Sequence, residues 1–193
     1  MTADVTFRPA GQAESRTIAE LYRMAAGGVA DYMWQGMAEA GEDVLDVGDR
    51  RFARTGEDFS FQHCLMAIAD GNICGMVHAF PMEAVSEVPD DMDPVLKPYC
   101  ELESAPGLYI AGIACYADWR GRGIGARMID LMRHRAMSEN LPELSLIAFA
   151  ENEGSVRLYE REGFEVTKRR AIHPHPLIQY GGEALLMVAP LGM

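Results

Sequence analysis

A chain of 193 residues with 29 acidic and 17 basic side chains, net −12, can bury one sizeable core and is too acidic for general nucleic-acid binding. It holds no apolar run of about 18 residues that could span a bilayer. The start MTADVTFRPA lacks the basic-then-apolar pattern of an export signal, so a cytoplasmic protein is expected. Cys64, Cys74, Cys100 and Cys115 form no CxxC pair, which predicts reduced thiols and neither a disulfide frame nor a zinc site. The acidity would favour a cationic substrate, but solubility alone accounts for it.

Val5 to Pro9 alternates as a short strand. Ile18, Leu21, Tyr22 and Ala25 mark one face of a helix stopped near Gly27-Gly28. A second helix from about Val29 to Gly41 is expected to turn Val29, Tyr32, Met33 and Met37 inward. Trp34 lies about 100° round from Met33, which predicts a core-edge cover or a pocket wall. Gly41 to Ser60 reads as a charged loop with one helical turn at most. Cys64 to Ala69 and Ile73 to Phe80 form a hairpin about Asp70-Gly71-Asn72. From Met82 to Gly107 the chain becomes acidic and proline-bearing, an irregular excursion with room for a short helix after Pro94.

Leu108 to Cys115 is almost continuously apolar, as a strand covered on both faces would be. Then come Arg120-Gly121-Arg122-Gly123-Ile124-Gly125-Ala126 and a helix with Ile124, Met128, Leu131 and Met132 on one face. Alternate glycines let main-chain N–H groups crowd round an oxyanion, and a helix N-terminus favours a phosphate. The spacing GxGxG is not the dinucleotide fingerprint, and no Lys-Ser or Lys-Thr follows to make a P-loop. Leu144 to Ala150 completes a right-handed parallel βαβ unit. A helix from about Glu153 to Glu162 stops at Gly163, and strands near Glu165–Ile172 and Ala184–Pro190 close the chain.

The pattern Arg120-x-x-Gly123-x-Gly125 after an apolar strand, with ENEGSVRLYEREGF beyond it, resembles the acetyl-coenzyme A loop of the GNAT acyltransferase superfamily. The resemblance is tight from about Ile113 to Phe164 and topological before that. It implies a single α/β GNAT N-acetyltransferase domain over residues 1–193. The implied sheet is mixed, mostly antiparallel and twisted, with a central splayed parallel βαβ unit and flanking helices.

The resemblance also implies roles, residue by residue. Ile113 N–H would face the thioester carbonyl and Cys115 N–H the pantetheine arm. Amides from Arg120 through Gly121, Arg122, Gly123 and Gly125 to Ala126 would hold the pyrophosphate of acetyl-CoA, the co-substrate. Asn152 would bind pantetheine, although it suits a helix cap equally well. Tyr159 would protonate the departing thiolate, or else join Phe164 in a Schellman cap. Some relatives carry a glutamate where this chain has Tyr109, so the base is open among Glu101, Glu103 and His78, the last also suited to a satisfied core position. His173 and His175 in HPHP suit a rigid loop better than a metal site, and no metal is expected.

The expected reaction moves an acetyl group to a primary amine by direct attack. The alternative is a non-catalytic acyl-CoA sensor on the same fold. Tyr32, Trp34 and the His173–Tyr180 loop are the expected acceptor walls, with the acidic excursion drawing in a protonated amine. The expected partner is an amine acceptor, not nucleic acid or membrane. A homodimer is left open.

Overall fold

The computed structural model describes residues 4–85 and 87–192, so residue 86 of the acidic excursion lies outside it. The strands are β1 (Val5–Pro9), β2 (Cys64–Ala69), β3 (Asn72–Met82), β4 (Gly107–Cys115), β5 (Glu143–Phe149), β6 (Glu165–Ala171) and β7 (Glu183–Pro190). They form one seven-stranded sheet in the order β1-β2-β3-β4-β5-β7-β6. The helices are α1 (Ser15–Ala25), α2 (Val29–Met37), α3 (Val44–Phe52), α4 (Lys97–Cys100), α5 (Ile124–Ser138) and α6 (Glu153–Arg161). The β4–β5 pair is parallel, whereas β1–β2, β2–β3, β5–β7 and β6–β7 are antiparallel.

The chain divides into two compact units, residues 1–79 with 112–128 and residues 80–111 with 129–193. In the first, β2 turns into β3 with Ala69 opposite Asn72. Asp70 (φ 50°) and Gly71 (φ 78°) are both left-handed, as a two-residue hairpin turn requires. The core of this unit gathers Ile18, Leu21, Trp34, Val47, Phe52, Met66 and Met76. Each such side chain contributes about 1.5–3 kcal/mol when fully buried.

Two expectations are corrected in this unit. The segment read as loop holds α3, capped by Asp43, whose side chain accepts Leu45 N–H at 2.8 Å. Its inward face is Val47, Gly48 and Phe52. The second correction concerns α2, whose buried positions are Ala30 and Trp34, while Met37 is 46% exposed. Trp34 is 2% exposed and belongs to the core of this unit. The reason is its fit to α3: a Cβ on Gly48 would stand 2.5 Å from the indole Cη2. A bare glycine there lets the largest apolar side chain be buried in preference to a methionine.

In the second unit β5 lies between β4 and β7, with Leu102, Leu108, Leu144, Leu146, Phe164 and Met187 buried. The parallel register runs from Leu108↔Leu144 to Ile110↔Leu146, and β4 continues beyond it to Cys115. Among the described residues the excursion folds one short helix, α4, after Pro94. Glu83, Glu87, Asp90 and Asp91 on it are exposed, and Asp93 accepts Val95 N–H at 2.8 Å as a local cap.

Candidate functional site

In the first unit, the end of β4 is tied to β3 by Tyr116 N–H, which donates to Cys74 C=O at 3.0 Å. Strand backbone groups alternate in direction with period two. Ala114 and Gly112 therefore share the β3-facing direction of Tyr116, while the N–H groups of Cys115 and Ile113 point to the opposite edge. These are the two amides singled out from the sequence.

A 3-10 turn over Ala117–Trp119 carries the chain into the glycine loop. Gly121 (φ 71°) and Gly123 (φ 75°) are left-handed, and nothing lies within 4 Å of where a Cβ would stand on either. Such a backbone is costly for other residues and gives the loop its open, side-chain-free surface. Helix α5 starts at Ile124, and the N–H groups of its first turn have no partner inside a helix. Gly125 and Ala126 lie in that turn. Ile124 and Met128, 2% and 0% exposed, anchor the helix start.

The loop arginines are held locally. Arg120 Nε–H donates to Cys115 C=O at 3.1 Å, bracing the loop against the strand end. The Arg122 guanidinium lies 4.6 Å over the Trp119 ring. Burial pushes the Cys115 thiol up to about 11, with the neighbouring Cys74 adding to the rise and Arg120 opposing it. Such a thiol is roughly 10⁻⁴ ionised at neutral pH and makes a poor nucleophile.

In the second unit, Asn152 caps α6 by accepting Ser155 N–H on its Oδ1 at 3.3 Å. The other end of α6 closes as a Schellman motif about Gly163 (φ 85°). Gly163 N–H donates to Glu160 C=O at 3.1 Å and Phe164 N–H to Tyr159 C=O at 3.0 Å. The Tyr159 and Phe164 rings meet edge to face at 5.9 Å. Burial pushes the Tyr159 phenol up to about 12, with a hydrogen bond to Ser155 pulling the other way. The hydroxyl keeps its proton throughout the neutral range.

The candidates for the base fare differently. Glu101 is ion-paired with Arg170, which holds its carboxyl below the usual range and makes it a poor proton acceptor. His78 is 0% exposed, and its Nε2–H donates to Asp58 C=O at 2.8 Å. The rings of Phe59, Phe52 and Tyr22 stand 5.0, 5.4 and 5.9 Å from it, so it is a core histidine. Tyr109 packs edge to face on Phe80 at 5.5 Å. In the HPHP loop, His175 Nδ1 accepts Leu177 N–H at 3.2 Å, a local turn. Among the described residues no group of three or more His, Cys, Asp or Glu could hold a metal, and no helix is long and apolar enough to cross a membrane. The four cysteines are free thiols.

Tyr32 remains part-exposed on α2, whereas Trp34 belongs to the core. The sequence reading did not single out Arg51 and Phe59. Helix α3 sets the Arg51 guanidinium 5.7 Å from the Phe59 ring centroid. Both residues fell in a stretch read as loop, so no periodicity could have marked them.

The sequence model of the acetyltransferase (GNAT) family matches residues 31–164. No curated protein matches the chain in sequence. Solved structures do match in fold. An N-acetyltransferase from Staphylococcus aureus Mu50 is 17% identical with a TM-score of 0.64, covering 95% of this chain and 100% of its own. The ribosomal-protein-S18-alanine N-acetyltransferase from Escherichia coli is 14% identical with a TM-score of 0.61, covering 98% and 96%. A chain of the NatC complex bound to Gag peptide and CoA is 15% identical with a TM-score of 0.61, covering 98% and 99%. With the glycine loop, the sheet order and a family match over more than half of its length in agreement, the chain belongs to the acetyltransferase (GNAT) family.

Proposed function

We propose that residues 1–193 act as one N-acetyltransferase domain that moves the acetyl group of acetyl-CoA to a primary amine by direct attack. Acetyl transfer is the chemistry of the family. The observation that carries the finer reading is the edge of β4. The Tyr116 bond to Cys74 turns the Ile113 and Cys115 amides away from β3, on the strand that leads into an open glycine loop and a bare helix start.

On this reading Ile113 N–H donates to the thioester carbonyl and stabilises the negative charge that grows there during attack. Cys115 N–H holds the pantetheine arm. The amides from Arg120 to Ala126 take the pyrophosphate, with Arg120 and Arg122 adding positive charge in an acidic chain. Asn152 spends its Oδ1 on the α6 cap and keeps its amide NH₂ to give to pantetheine. The high pKa of Cys115 supports direct transfer over an acyl-cysteine intermediate.

Tyr159 assists the leaving thiolate. A thiol has an ordinary pKa near 8.5, so full proton transfer from a phenol at about 12 is uphill by roughly 5 kcal/mol. The hydroxyl therefore acts first as a hydrogen-bond donor to sulfur and gives up its proton late. The fold houses an enzyme named for an alanine of ribosomal protein S18 and a complex solved with a peptide and CoA, which is consistent with an amine acceptor.

The test is a thiol-release screen with acetyl-CoA across small amines, polyamines, amino acids and peptide N-termini. Turnover with at least one class is expected. Tight CoA binding with no turnover on any amine would establish the sensor reading in its place.

A further inference from the structure

We infer that the acceptor amine also carries a carboxylate, received by Arg51 and the Tyr22 hydroxyl beside β4. This rests on the N-acetyltransferase reading for its place in a reaction, but the anion site stands or falls on its own residues, all within the first unit.

Arg51 points there. Of the arginines in residues 1–79, Arg8, Arg16, Arg23, Arg50 and Arg54 each pair with a carboxylate. Arg51 does not, in a chain with a large carboxylate surplus. Its neighbours Arg50 and Arg54 take Glu42 and Glu57. Among the described residues the guanidinium of Arg51 has only the Met37 Sδ, at 3.4 Å, and the face of Phe59. It is half-buried, and burial lowers its pKa. The Glu57 charge acts on it through space, but among the described residues no carboxylate forms an ion pair with it, and a planar anion is the natural complement of a half-buried guanidinium.

Tyr22 supplies the second donor. Its ring meets the same Phe59 edge to face at 5.6 Å, so both groups border one aromatic wall. Among the described residues its hydroxyl makes no hydrogen bond. Burial holds the phenol at about 12, against the pull of the Arg51 charge, so the group is protonated and donates. Two donors beside one aromatic wall suit a carboxylate and not an ammonium.

The wall also has a position. Tyr22 Cδ2 lies 3.2 Å from where a Cβ on Gly112 would stand. Gly112 precedes Ile113, whose amide is assigned to the thioester. A small molecule with its carboxylate at Arg51 and its apolar body along Phe59 and Tyr22 would bring a nearby amine towards that strand. An amino acid with an apolar side chain has this composition.

The experiment compares matched acceptors that differ only in the carboxylate: phenylalanine against phenethylamine, and methionine against 3-(methylthio)propylamine. With acetyl-CoA, the carboxylated member of each pair should show a kcat/KM about tenfold higher. Arg51→Gln and Tyr22→Phe should each erase most of that preference through KM, with the KM for acetyl-CoA unchanged. The second variant keeps the ring and its packing, so it covers the case in which the first fails to fold.

Calorimetry with 3-phenylpropanoate and 3-phenylpropan-1-ol needs no turnover. The carboxylate should bind wild type about tenfold tighter than the alcohol, and that advantage should vanish in the variants. Arg51-dependent carboxylate binding without turnover on any amine would sink the transferase reading and leave the anion site standing. Turnover without carboxylate preference, or variants that weaken both members of a pair equally, would overturn the anion site. Arg51 would then be a structural cation–π contact to Phe59.

Discussion

Two left-handed glycine segments in this protein do opposite things. At Gly163 the reversal closes α6, and both Gly163 N–H and Phe164 N–H are consumed by the carbonyls of Glu160 and Tyr159. At Gly121 and Gly123 the reversals deliver the chain to the start of α5, where first-turn amides have no partner inside the helix. One segment ends a helix by saturating its backbone; the other begins a helix by leaving its backbone bare. Glycine content does not distinguish a binding loop from a stop signal. The state of the neighbouring N–H and C=O groups does.

The largest expected effect separates chemistry from closure at the α6 end. Tyr159→Phe keeps the ring that meets Phe164 and removes only the hydroxyl. Turnover should fall roughly 10²-fold, about 2.7 kcal/mol in the barrier, with thermal stability and CoA affinity almost unchanged. A phenol at about 12 does not titrate near neutrality, so the variant's pH–rate profile should keep the wild-type shape there. Retained turnover with a lowered Tm would assign Tyr159 to the cap alone.

The stretch from Ile113 to Phe164 was legible because its signals are local. A left-handed glycine, an Asn N-cap and an apolar strand each announce themselves within a few residues. Helix α3 was not legible, since Gly48 sits at its centre and Asp46, Asp49, Arg50 and Arg51 dilute its apolar face. The inward face of α2 was misjudged for a related reason. Which side of a helix is buried depends on its partner, and that partner was the unseen α3. Arg51 and Phe59 went unnoticed with it.

Gly48→Ala tests this account. The helix should gain about 1 kcal/mol from the substitution. The new Cβ, however, meets the Trp34 ring at 2.5 and 2.6 Å, and that ring, 2% exposed, has nowhere to go. The clash should win by about 2 kcal/mol, lowering Tm by several degrees. A Tm raised by the substitution would show that the indole is not fixed against α3.

A tenfold effect, about 1.4 kcal/mol, is expected at the open segment. Gly125→Val is the cleaner probe, because Gly125 lies in α5 whereas Gly123 has φ 75° and resists any side chain. A branched side chain among the first-turn amides should obstruct a pyrophosphate while leaving the fold intact. Calorimetry should show CoA binding weakened about tenfold with Tm little changed. Unchanged affinity in the folded variant would remove these amides from the site.

The smallest effect belongs to the closed segment. Gly163→Ala asks an L-residue to adopt φ 85°, where no atom within 4 Å obstructs the new Cβ. The cost is then conformational alone, about 1 kcal/mol, or roughly 2–4 °C in Tm for a chain of this size. Gly163→Asn should cost less, since asparagine visits the left-handed region more readily. Neither should alter CoA affinity, because the amides at this end are already spent on Tyr159 and Glu160 carbonyls. Differential scanning calorimetry and a CoA titration on both variants decide it. Should alanine weaken CoA binding as much as Gly125→Val does, the Schellman turn would be part of the binding surface, and the contrast between an open and a closed glycine reversal would fail.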